Sequence, residues 1–95
     1  MDKLGARTLA SAIIESGVKD YVHYGIHHLK TGTTYSLSMM IQAGYFLTSN
    51  WCKDLLSILE LEDIDQNLLI ASLDSRIIKG EEIREKKTQK KDPLF

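Results

Sequence analysis

The sequence predicts an all-α fold, a small bundle of about four helices with a charged C-terminal tail, and three observations carry that reading. Large apolar residues recur every three or four positions instead of alternating, the mark of helices with one buried face. The one proline, Pro93, stands close to the C-terminus and leaves every earlier helix unbroken. Residues that start and stop helices gather at a few points: Thr31 to Thr34, Thr48 to Asn50, and the acidic run from Glu60 to Asp65. The 95 residues, 43% apolar and 26% charged, have the composition of one ordinary domain and leave no room for a second.

The first helix is expected over about residues 7–30, where Ala10, Ile14, Gly17, Val18, Tyr21, Gly25, His28 and Leu29 share one sector at 100° per residue. Gly17 and Gly25 on that stripe each forfeit up to ~1 kcal/mol of helix propensity, which the close approach of another helix would offset. Gly32 suits the position past the helix end, and Thr33 or Thr34 the next cap. The second helix covers about residues 35–47 with Leu37, Met40, Ile41, Gly44, Tyr45 and Phe46. A short third begins near Asn50 and offers Trp51, Leu55, Ile58 and Leu59 to the core. Asp63 and Gln66 have capping-box spacing and start the fourth, in which Leu69, Leu73 and Ile77 fall at i, i+4 and i+8 beside Leu68 and Ile70. The predicted core is Ile14, Val18, Tyr21, Leu37, Ile41, Phe46, Trp51, Leu55, Leu69, Leu73 and Ile77, with Trp51 anchoring the junction of helices two and three. Residues 1–78 form the helical domain, and residues 79–95 a tail with too little apolar surface to order itself, or an extension of helix four.

Charge follows this division. Residues 1–53 carry a net +2, residues 54–75 six acids and no base, and residues 76–95 a net +3. A total of −1 excludes binding to nucleic acid or lipid by the overall field, so only local charge serves. Glu60, Glu62, Asp63 and Asp65 form a candidate acidic surface for a basic partner, against the plainer reading of a solvated connection. The tail offers Arg84, Lys86, Lys87, Lys90 and Lys91, joined by Arg76 and Lys79, for phosphate contacts in a nucleic-acid-binding regulator, the alternative reading.

Motifs for chemistry are weak. His23 and His27 at i, i+4 have metal-binding spacing, but no third ligand is nominated and no metal or other cofactor is expected. His28 lies toward the core as a packed, hydrogen-bonded histidine. Lys30 precedes Thr31 and Gly32, the wrong order for a phosphate loop, and no serine has a Gly-x-Ser-x-Gly context. The chain is therefore expected not to be an enzyme. The one cysteine, Cys52, follows Trp51 in an apolar stretch and reads as a buried structural thiol. Neither a signal peptide nor a membrane span is present in the pattern, which predicts a soluble, cytoplasmic protein.

Two segments taken together, Ala12-Ile13-Ile14 followed by Val18-Lys19-Asp20-Tyr21, and Tyr45-Phe46-Leu47-Thr48-Ser49-Asn50-Trp51-Cys52 with Leu55 behind, resemble small proteins of unknown function from phages and prophages of Firmicutes. The resemblance covers about residues 10–75, with Leu47 and Cys52 where that group more often has aromatics. It implies an accessory product of a mobile element acting inside a bacterial host cell, and it supplies no functional residue. The function expected is noncatalytic: binding, and thereby inhibiting, a host defence or regulatory protein. Helix one carries more apolar and aromatic surface than one neighbour covers, so a homodimer is expected with Gly17, Tyr21, Tyr24 and Gly25 at its interface.

Overall fold

A computed structural model describes residues 3–81, and among them the chain forms four helices and no strand: α1 Lys3–Thr31, α2 Thr34–Leu47, α3 Asn50–Ile58 and α4 Gln66–Lys79. The 29-residue α1 is about 44 Å long at 1.5 Å per residue and serves as the spine on which the other three pack. α2 folds back along it, α3 closes one end, and α4 lies on the neighbouring flank while scarcely touching α2.

Local chemistry sets each boundary. Gly32 adopts φ 67°, and its N–H donates to His28 O at 2.7 Å, which closes α1. Thr33 then caps α2 by accepting from Ser36 N at 3.3 Å. Ser49 caps α3, accepting from Cys52 N at 3.1 Å while donating to Phe46 O at 2.6 Å. The cap of α4 is Asp65, which accepts from Asn67 N and Leu68 N. The capping box expected from Asp63 does not form, because Gln66 is turned the other way: its Nε2 donates to Leu47 O at 2.8 Å and Ser49 O at 3.0 Å, tying the start of α4 to the end of α2.

Tyr21, Val22 and Ile26 of α1, Leu47 of α2, Cys52 and Leu56 of α3, and Leu73 and Ile77 of α4 make the buried cluster. Ile14, Val18, Phe46 and Leu69 pack around it half-buried, and Leu55 is also buried. Three predicted core residues lie outside: Leu37, Ile41 and Trp51 are 37%, 45% and 58% exposed. Trp51 does stand at the α2–α3 junction, edge-on to Phe46 with ring centroids 5.2 Å apart, but on the outer surface. Leu29 of the predicted α1 stripe is exposed as well.

The close approaches expected at the α1 glycines are present and lie within the chain. A Cβ at Gly17 would stand 2.8 Å from Phe46 Cδ2, and one at Gly25 2.8 Å from Ile77 Cγ1, both too near for an undisturbed contact. Tyr21 joins α1 to α4 by donating its hydroxyl to Asp74 Oδ1 at 2.6 Å. Burial first, then that hydrogen bond and the carboxylate charge, hold the phenol protonated well above the ordinary tyrosine range.

Candidate functional site

α2 differs from its neighbours in surface chemistry. Its sequence, TYSLSMMIQAGYFL, contains no charged residue, whereas α1, α3 and α4 all carry charges. Ser36, Met40, Ala43, Gly44 and Leu47 recur along the side turned to α1, and only Ser36 and Leu47 are fully buried. An outer helix of this kind is expected to be polar on its solvent side; here an apolar groove opens on each flank instead.

The larger groove, about 470 Å³, runs between α1 and α2. Gly17 and Ala43 lie along it; Ile13, Met39, Phe46 and Trp51 supply apolar surface, while Ser16, Asp20 and Gln42 supply polar groups. The smaller groove, about 260 Å³, lies on the other flank, with Tyr21 and Ile70 from α1 and α4 and with Leu37, Met40, Ile41, Gly44, Tyr45 and Thr48 from α2 and its end. No charged residue lines this second groove. Leu37, Ile41 and Trp51, expected in the core, border these grooves instead, and residues 34–47 carry no charge.

The predicted acidic surface is exposed in all four members, yet two have structural duties. Asp65 caps α4, and Glu60 pairs with Arg7 at 3.7 Å while holding a left-handed φ of 62° at the end of α3. Glu62 and Asp63 make no ion pair with another described residue, and Leu61 and Ile64 on either side are exposed.

The expected dimer face is not assembled as one open surface. Gly17 is covered by Phe46 and Leu47, Gly25 by Ile77, and Tyr21 is buried against Asp74 and Gly44. Tyr24 is half-buried and meets Tyr35 of α2 edge-on at 6.0 Å. At Gly17 and Gly25 the stripe meets its own chain, because α2 and α4 each occupy one of these glycine notches.

His23 and His27 stack with ring centroids 6.4 Å apart, and no group of three or more potential metal ligands occurs among the described residues. His27 Nδ1 lies 2.5 Å from Ser36 Oγ, a pairing the sequence reading did not identify. Thr33 Oγ1 donates to Ser36 Oγ at 2.8 Å, and Thr31 Oγ1 donates to His27 O at 2.8 Å. A serine beside a histidine has the outline of an activated nucleophile. Ser36, however, is 0% exposed, and the network ties the end of α1 to the start of α2. His28 is half-buried, with Nδ1 3.1 Å from Thr33 O. Cys52 is buried at the α3 face; desolvation pushes its thiol up and a hydrogen bond with Gln66 opposes this only in part, which suppresses the thiolate.

Arg76 is half-buried and Lys79 exposed at the end of α4. The remaining members of the alternative nucleic-acid surface, Arg84, Lys86, Lys87, Lys90 and Lys91, lie outside the described residues. Among the described residues no helix is long and apolar enough to cross a membrane. Comparison of the sequence with protein-family models, curated proteins and solved structures finds no match.

Proposed function

We propose that this chain is a noncatalytic interaction protein that holds a partner protein in the groove between α1 and α2. The observation that carries the reading is Trp51, a tryptophan 58% exposed at the mouth of an apolar groove of about 470 Å³. Tryptophan is enriched among the few residues that carry most of the binding energy of protein interfaces. Phe46 braces the indole edge-on, so Trp51 is held ready before binding. Glu62 and Asp63, flanked by Leu61 and Ile64, would steer a basic patch of the same partner and raise its rate of encounter. With the phage-protein resemblance added, the partner is a bacterial host protein of the defence or regulatory kind and the site of action the host cytoplasm.

The test is affinity capture from a bacterial lysate with three tagged forms: the natural chain, Trp51→Ala, and the Glu62→Lys and Asp63→Lys pair. The reading expects one protein enriched repeatedly by the natural chain, lost with Trp51→Ala, and weakened more at low than at high salt by the charge-reversed pair. Repeated failure to enrich any protein, or enrichment indifferent to Trp51→Ala, overturns it.

A further inference from the structure

The opposite flank of α2 carries a second surface. Leu37, Ile41 and Tyr45 stand at i, i+4 and i+8 and are 37%, 45% and 73% exposed, a continuous apolar ridge along one helix edge. Beside the ridge lies the uncharged groove over Tyr21 and Ile70. We propose that this ridge pairs with the same ridge of a second copy of the chain, so that α2 lies across α2 at a two-fold axis.

Three features select a second copy as the occupant. First, the partner must present a strip without charge, because a charge set against this ridge would lose its water and find no counter-charge. α2 is itself such a strip, and the other three helices are not. Second, the ridge is self-complementary. A two-fold axis through Ile41 sets Ile41 against the partner's Ile41 and Leu37 against the partner's Tyr45, so the smaller residue faces the larger at both ends. Third, the size fits a reversible dimer. The 14 residues of α2 span about 21 Å, and a strip of that length and roughly 10 Å width falls well short of the ~800 Å² per partner of a tight interface. Association is therefore expected to be weak and reversible.

The inference goes beyond the partner-binding reading, since it uses the other flank of α2 and needs no second protein. Sedimentation equilibrium from roughly 10 µM to 1 mM tests it, a span suited to an interface of this size. The weight-average mass is expected to climb from the 10.8 kDa of one chain toward twice that value. Ile41→Glu, which places two carboxylates face to face at the axis, should hold the mass at that of one chain throughout, with an unchanged helical spectrum. If Ile41→Glu loses its fold, Tyr45→Glu at the more exposed position takes its place. An equimolar mixture of Ile41→Glu and Ile41→Lys should recover the dimer that neither forms alone. A natural chain that stays at 10.8 kDa up to about 1 mM overturns the proposal, as does a folded Ile41→Glu that dimerises like the natural chain. Trp51→Ala must leave the dimer intact; loss of association in that variant would place the interface on the α1–α2 flank. Capture can fail while the dimer persists, and the reverse, so the two readings fall separately.

Discussion

A single methyl group added at Gly25 probes how α1 and α4 meet. Its carbon would lie 2.8 Å from Ile77 Cγ1 and 3.2 Å from Cγ2, with Cδ1 nearer still, against an optimum near 3.5–4.0 Å. Ile77 is buried and cannot swing away without disturbing the cluster it belongs to. Overpacking of this kind costs about 1–3 kcal/mol, and replacing a helical glycine by alanine returns up to ~1 kcal/mol. Gly25→Ala should therefore destabilise by between about zero and 2 kcal/mol. In an Ile77→Ala background all three crowding atoms are gone, and the same substitution should stabilise by about 1 kcal/mol. Ile77→Ala itself should cost about 2–5 kcal/mol, so urea unfolding of all four proteins, followed by circular dichroism, is within range for a domain of this size. The expected reversal of sign corresponds to a coupling of about 1–3 kcal/mol. Equal effects of Gly25→Ala in both backgrounds, within ~0.5 kcal/mol, would refute the contact and reopen Gly25 as a surface for a second copy.

Tyr21→Phe should cost about 1 kcal/mol at neutral pH by stripping Asp74 of its donor. Because the folded state raises the Tyr21 pKa, its contribution is complete below the ordinary value of 10.0 and is lost as pH climbs through the folded value; urea midpoints above pH 10 should fall less steeply for Tyr21→Phe than for the natural chain. One backbone motif ends both α3 and α4: Leu61 N donates to Leu56 O and Glu60 N to Ser57 O in the first, Glu81 N to Arg76 O and Gly80 N to Ile77 O in the second. Glutamate holds the left-handed position in one and glycine in the other, so Glu60→Gly should stabilise by up to ~1 kcal/mol and Gly80→Ala destabilise by about 1 kcal/mol in thermal melts. Trp51→Ala should cost only about 1–2 kcal/mol, chiefly its ring contact with Phe46, and a loss near the ~3–5 kcal/mol of a core tryptophan would show that the indole is buried in solution.

Helix number and the breaks between helices were legible because they are set by neighbours in sequence, although α1 begins at Lys3, four residues before the expected start. Gly32, Thr33 and the run Thr48-Ser49-Asn50 act through bonds that span two to four residues, and the structure uses them where expected. The cap of α4 was misplaced by two residues because an acidic run offers several equivalent oxygens, and only the tie from Gln66 to the end of α2 distinguishes them. Val22 and Ile26 escaped notice for a different reason. A single 100° stripe describes a helix packed on one side, whereas α1 meets three helices along its length and buries a wider arc. The candidate site was the least legible part. Periodicity marks which residues share a helix face and is silent on how completely neighbouring helices cover it, so it does not distinguish the exposed Leu37, Ile41 and Trp51 from the core.

Tyr21 bears on why the flank of α2 turned toward α4 stays open. Its ring lies against Gly44, where a Cβ would come within 3.1 Å of Cε1, and its hydroxyl is fixed to Asp74 of α4. The side chain thus stands between α2 and α4 as a spacer anchored at both ends, and the uncharged groove lies along its outer edge. A phenol with its hydroxyl satisfied keeps the helices apart without an unpaired polar group in the interior. The ridge of Leu37, Ile41 and Tyr45 beside that groove stays uncovered on α2, a helix whose sequence carries no charge.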